Sequence, residues 1–294
     1  MFEAAIETAS RFTRPIHTII RFYGATTIVP GAATIILVNK EGWALTCKHV
    51  ATELALADQL KVRYQQFKSE RAALLNQKNA KHLVRQLATK HQFDATKPAE
   101  VIHTFFNCVD ELKEVEFRVH PTLDIALIRL GGFQTLNCQA FPVFSKDDSG
   151  LKAGKYLCRL GFPFPEFQNF EYDAAVDQIK WNQVGRTDSP WFPIEGMVTR
   201  QMLAPDGTVG MFELSTPGLR GQSGGPAFDQ NGLVWGMQSQ TGHLDLNFDV
   251  DIEVMRNGQK KRIKESAFLN VGVCVHVAQL KAFMRQENVS FVEG

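Results

Sequence analysis

From Ile16 onward, short β-branched or aromatic runs alternate with turns built from Gly, Pro and Asn, as in TIIRFYGATTIVPGAATIILVNKEGWALT. This spacing predicts an all-β fold, an antiparallel barrel or sandwich. Asn39, Lys40, Glu41 and Gly42 sit between two such runs as a hairpin connection, with a glycine available for positive φ. Asp229, Gln230, Asn231 and Gly232 form a similar unit late in the chain.

One segment breaks the rhythm. Leu54, Ala57, Leu60, Tyr64 and Phe67 recur at every third or fourth position with no Pro or Gly between them, which is the period of an amphipathic helix. The expectation is a helical insertion, about 52–105, inside a first half of residues 1–140, followed by a second half of residues 141–294. Its stretch 61–90 is basic: Lys61, Arg63, Lys68, Arg71, Lys78, Lys81, Arg85 and Lys90 stand against Glu70. It reads either as a solvated helix face or as a docking arm for an acidic regulatory protein partner. Leu280, Phe283 and Met284 at helical spacing predict a closing C-terminal helix.

Composition narrows the function classes. The chain of 294 residues is 44% hydrophobic and 21% charged, a folded composition that excludes disorder and collagen-like structure. No apolar run approaches the roughly 18 residues that span a bilayer, so no membrane partner is expected. The start, MFEAAIETASRF, places acids where a secretory signal needs a positive end, and the expectation is a cytoplasmic protein. A net charge of +1 makes nucleic acid an unlikely partner on charge alone. Cys47, Cys108, Cys138, Cys158 and Cys274 are odd in number and widely spread, which argues against a disulfide framework or zinc site. No metal or other cofactor is expected.

Three segments carry chemistry. Gly221, Gln222, Ser223, Gly224, Gly225 and Pro226 follow Gly218, Leu219 and Arg220. A serine hydroxyl is a poor nucleophile and needs both a base and donors for the charge that develops on the attacked carbonyl. Flanking glycines let the backbone turn sharply, so the amides of Gly221 and Ser223 can face one pocket. His49 ends the strand-like run WALTCKHV, where an imidazole can face a cleft. Asp124 opens the apolar run IALIRL, a costly place for an acid unless an imidazole N–H pairs with it.

In order, TCKHV, TLDIALIRL and GLRGQSGGPAF resemble the chymotrypsin-like (trypsin-fold) serine peptidases. The similarity is closest to the HtrA (Do-like) branch, on GAATIILVNKEGWALTCKHV, LKAGKYLCRLGFPF, NGLVWGMQSQTG and NVGVCVHVAQL. It implies two six-stranded antiparallel β-barrels, with the helical insertion in the first. It implies a serine endopeptidase acting on a protein or peptide substrate, with His49 as base and then acid, Asp124 orienting it, and Ser223 as nucleophile. The oxyanion hole would be the amides of Gly221 and Ser223, and Ser239 would hydrogen-bond the acid. Substrate binding would fall to Thr216, Pro217, Gly218, Ser239, Gln240, Thr241 and Gly272. None of these is charged, which favours apolar or small side chains before the cut, although Asp245, Asp249 and Asp251 lie in a loop that can reach the pocket.

The chain also departs from the family. Gln222 stands where digestive relatives carry the Asp that binds a newly cut N-terminus, so activation by that ion pair is not expected. No sequence remains after the closing helix for the PDZ-type peptide-binding domain common in the HtrA branch. Two rivals remain. Gly221, Ser223 and Gly225 fit the G-x-S-x-G elbow of α/β-hydrolase esterases, with His276 as a downstream base, although GGPAFDQNG disfavours the helix that fold requires. The second is a silent binding or scaffold protein on the peptidase fold, in which a partner at the basic insertion orders the GLRG loop.

Overall fold

The computed structural model describes residues 1–204, 207–256 and 258–294. After a short helix α1 (Glu3–Ser10), the β-branched runs become β1 (Thr13–Phe22), β2 (Ile28–Leu37) and β3 (Trp43–Thr46). β1 and β2 pair antiparallel from Thr13↔Ile36 to Arg21↔Ile28. The turn between β2 and β3 closes with Gly42 N–H donating to the Asn39 carbonyl at 3.3 Å, and Gly42 takes φ +83°. All four residues of β3 are buried, as expected of a short strand covered on both faces.

The helical insertion follows as α2 (Lys48–Leu74) and α3 (Ala80–Lys90). Residues Pro98–Phe105, inside the 52–105 expectation, instead form β4, which pairs antiparallel with β1. The run VIHTF is β-branched and aromatic, and an open sheet edge outcompetes helix for such residues. α2 also begins earlier than its apolar period suggested. His49 therefore lies in the first helical turn rather than at a strand end. The first sheet is completed by β5 (Glu114–Val119) and β6 (Ala126–Gly131), in the order β4-β1-β2-β3-β6-β5. Among the described residues its outer strands do not pair.

The second half contains β7 (Val143–Phe144), β8 (Tyr156–Gly161), the β9 (Phe170–Asp173) and β10 (Gln178–Trp181) hairpin, β11 (Phe192–Leu203), β12 (Val209–Leu214), β13 (Pro226–Phe228), β14 (Val234–Arg256) and β15 (Gln259–His276). The order β13-β8-β11-β12-β15-β14, with β13 also paired to β14, closes six strands on themselves. β7 and the final β16 (Val292–Glu293) add to the edge in parallel, making eight strands in all. The fold is mostly β, with a closed six-stranded ring only in the second half.

One buried apolar cluster spans both halves. Ile36, Leu45 and Leu127 of the first sheet meet Leu160, Phe228 and Val275 of the second, and α1 and α4 (Val277–Gln286) cap it through Ala5, Ala9, Leu280, Phe283 and Met284. The insertion has a separate small core of Tyr64, Phe67, Leu87, Ala88, Phe93 and Ala99. Part of its basic character is used internally. Arg71 pairs with Asp177 at 2.9 Å, Lys90 pairs with Glu70 at 2.9 Å, and Lys68 donates to the Val176 carbonyl at 3.2 Å. Among the described residues, no helix is long and apolar enough to cross a membrane.

β14 and β15 run on together as a long two-stranded arm. Asp249 pairs with Lys264 at 2.7 Å and Asp251 with Arg262 at 3.1 Å along one of its faces. The acids placed in a pocket-reaching loop by the sequence are thus in a paired hairpin that leads away from β12, because the run Leu244 to Ile252 alternates apolar and polar with a strand's period of two.

Candidate functional site

Asp124 lies just before β6 and His49 is the second residue of α2, and both belong to the first half. The His49 Nδ1 stands 2.9 Å from Asp124 Oδ2 and 3.1 Å from Oδ1, and the His49 amide donates to Oδ1 at 3.0 Å. A carboxylate only accepts, so Nδ1 carries the proton and Nε2 keeps its lone pair. The loop that delivers Asp124 is tied by His120, whose Nδ1 accepts the amides of Thr122 (3.2 Å) and Leu123 (2.9 Å), and by Lys48 Nζ donating to the Pro121 carbonyl at 2.9 Å. Sequence reading missed both residues; the signal for His120 was its place four residues ahead of Asp124, in the loop between β5 and β6.

Ser239 of β14 bridges the halves. Its hydroxyl donates to Asp124 Oδ2 at 2.6 Å, and its carbonyl accepts the Ser223 hydroxyl at 3.2 Å. His49, Asp124 and Ser223, far apart in sequence, are thereby joined through one residue. Burial pushes the Asp124 carboxyl up, but the bonds from His49 and Ser239 outweigh it and hold the group at about 2. The bond to Asp124 raises the His49 ring above its usual 6.5, against burial that lowers it.

The turn before Ser223 is held from three sides. Gln222 N–H donates to the Leu219 carbonyl at 3.0 Å, with Gly221 at φ +93° and Arg220 not among the positive-φ residues. That combination defines a type II turn, which requires glycine at its third position. A Cβ there would also lie 2.5 Å from the Phe162 carbonyl oxygen. The buried Gln222 side chain accepts the Leu219 amide at 3.1 Å and donates to the Phe192 carbonyl at 3.2 Å. From β2, Thr34 reaches across the halves: its amide donates to the Ser223 carbonyl (3.0 Å) and its hydroxyl to the Gly221 carbonyl (2.7 Å). Among the described residues the amides of Gly221 and Ser223 have no protein acceptor.

The remaining candidates fall beside this turn. Thr241 donates from its hydroxyl to the Gly218 carbonyl at 2.7 Å, and Gly272 faces Thr241 across the β14–β15 pair. Thr216 and Pro217 both accept from Arg159, a buried arginine that sequence reading passed over. Its signal was a single cation in the otherwise apolar strand YLCRLG.

Other chemistry is poorly served. Cys47, His49 and Asp124 bring three ligand-capable atoms within 4.8 Å of one another. Burial and the adjacent Asp124 carboxylate push the Cys47 thiol well up, and it already donates to the Gln238 carbonyl at 3.2 Å, so hydrogen bonding accounts for the cluster. Ser223 is followed by strand β13 rather than a helix, and His276 is a buried cap of α4 whose Nδ1 accepts the Ala278 amide at 3.1 Å. Neither feature fits an α/β-hydrolase elbow.

A closed β ring beside a second sheet, with a His–Asp pair on one side and a glycine-flanked serine turn on the other, is a peptidase-type architecture. The family of trypsin-like peptidase domains matches residues 33–237, a span that contains His49, Asp124 and Ser223. The chain belongs to the trypsin-like peptidase family. A comparison with curated proteins gives no match.

Proposed function

We propose that the protein is a serine endopeptidase that hydrolyses peptide bonds through an acyl-enzyme. The observation that carries this reading is the linkage of Ser223 to the His49–Asp124 pair through Ser239. In the proposed cycle the Ser223 hydroxyl turns from the Ser239 carbonyl to the free Nε2 of His49. His49 removes its proton as Ser223 Oγ attacks the substrate carbonyl, and returns that proton to the leaving amine. A water then repeats the attack on the ester. The unpartnered amides of Gly221 and Ser223 would receive the oxyanion, where one such donor contributes about 3 kcal/mol of barrier lowering. The likeness to the HtrA branch supports the same assignment of roles.

Gln222 and Thr34 hold the turn without help from a partner, which supports constitutive rather than effector-ordered activity. A fluorophosphonate probe with peptide mapping tests this. The expected result is an adduct on Ser223 at a rate unchanged by an acidic polypeptide, and loss of roughly a millionfold in turnover in Ser223→Ala. An unlabelled Ser223 with no cleavage of any unfolded protein would leave the scaffold reading in its place.

The pH dependence has a definite sign. The proposed base must be neutral, so kcat/KM rises with pH through a value above 6.5, the ring's usual pKa. The stabilisation that the imidazolium gains from Asp124 runs the other way: it is full below 6.5 and fades as pH passes the raised value. Asp124→Asn removes the cause of the shift, so the residual activity limb moves to lower pH.

A further inference from the structure

Arg159 projects from β8 into the closed ring and is completely buried. Its Nη1 donates to Gln238 Oε1 at 2.7 Å, and its Nη2 to the Thr216 hydroxyl (2.6 Å), the Thr216 carbonyl (3.0 Å) and the Pro217 carbonyl (3.1 Å). All four acceptors are neutral, and the buried Nε has no partner. Among the described residues no carboxylate lies within ion-pair distance. The nearby thiols do not supply the missing charge, because burial pushes Cys158 and Cys274 up to about 12 despite the guanidinium. A buried cation without a counter-ion is expensive, and structures rarely keep one without a use for it.

Its location suggests the use. Besides Gln238 it touches Thr216, Pro217 and Gly272, which are walls assigned to the primary specificity pocket under the peptidase reading. A Cβ on Gly272 would collide with Arg159 Nη1, so the guanidinium lies directly against that wall. A Cβ on Gly218 would likewise collide with Gln238 Nε2. Because Arg159 occupies the Gln238 carbonyl oxygen, the amide is fixed with its N–H₂ end toward Gly218, and that end donates to the Gln240 carbonyl at 2.9 Å. The Thr241 hydroxyl stands at the same place. This wall thus offers the second N–H of Gln238 beside the Thr241 hydroxyl, which donates to the Gly218 carbonyl, with an unneutralised positive charge behind.

We propose that Arg159 makes this pocket selective for an acidic side chain, Glu or Asp, on the residue before the scissile bond. The substrate carboxylate accepts the second N–H of Gln238 and the Thr241 hydroxyl, which turns to it from the Gly218 carbonyl, and completes the charge balance of Arg159. The inference rests on the peptidase reading and sharpens it, and it replaces the apolar or small preference expected from the wall residues alone.

The test is chosen to separate the two. Peptides identical except for Glu, Gln, Ala, Leu or Lys before the cut are assayed with the full chain, with fluorophosphonate labelling of Ser223 in parallel. Product-like peptides ending in Glu or Gln are titrated into Ser223→Ala by fluorescence anisotropy. The expected results are cleavage after Glu at least about 100-fold faster in kcat/KM than after Gln, and tighter binding of the Glu-ended peptide by a factor on the order of 10 or more. Arg159→Met should lose most of both ratios. Equal handling of Glu and Gln by the labelled wild-type protein overturns the inference and leaves the peptidase reading standing. If nothing is cleaved or labelled, the peptidase reading fails, and the binding ratio alone decides the pocket's charge preference.

Discussion

Arg21 and Arg159 are both buried arginines that project from strands, and their surroundings are opposites. Arg21 of β1 donates from Nε to Glu100 Oε2 at 2.7 Å and from Nη2 to the Tyr64 hydroxyl at 2.9 Å, and it lies 3.1 Å from Asp177. Tyr64 and Arg71 of α2 converge on the same Asp177, and the Tyr172 ring lies 4.9 Å from the guanidinium. This cluster joins the helical insertion, the first sheet and the β9–β10 turn, so its charges are used to fasten three elements. Arg159 has neutral acceptors only. A balanced charge fastens the fold, whereas an unbalanced one waits for a ligand.

Single substitutions break this comparison most clearly. Arg21→Met leaves the Glu100 and Asp177 carboxylates without their shared cation, and equilibrium urea unfolding at neutral pH should show a loss of about 3–5 kcal/mol. Arg159→Met strands no carboxylate. It leaves neutral carbonyls short of donors, and the expected loss is smaller, about 1–3 kcal/mol. Equal losses would mean that Arg159 has an acidic partner after all, or that the Arg21 cluster is already well hydrated.

The smallest effect is in the acid limb of stability. Burial pushes Asp177 up, but bonds from Arg71, Tyr64 and Tyr172 and the charge of Arg21 bring it below its usual 3.8. A depressed carboxyl contributes stability that is complete above its unfolded value and lost as pH falls through the folded one. Unfolding followed from pH 6 down to about pH 2 should therefore show a shallower acid limb in Arg21→Met than in the wild type. Arg159→Met should keep the wild-type limb, since no carboxylate answers to it.

How far the sequence reveals this depends on whether a residue's role is local. The β2–β3 hairpin and the amphipathic stretch around Leu54 are local patterns, and each lies where its pattern implies. The end of the insertion is not local: Pro98–Phe105 becomes a strand only because β1 presents a free edge to it. His49 is in a helix rather than at a strand end because Cys47, in extended conformation, caps α2 directly after β3. Thr34, Gln222 and Arg159 act through contacts across the fold, with Thr34 reaching a carbonyl 187 positions away. No period or spacing encodes such a contact, so the sequence could flag Arg159 only as a misfit among apolar neighbours.

The collision awaiting any side chain at Gly272 makes that glycine and Arg159 a single unit of inheritance. A methyl added at 272 would have to displace the long cation at 159 and would still press on the Thr216 carbonyl oxygen at 2.9 Å, while an arginine arriving at 159 needs the glycine already in place. Two positions more than a hundred residues apart should therefore drift together among descendants of this gene, and a lineage that changes one will have changed its diet.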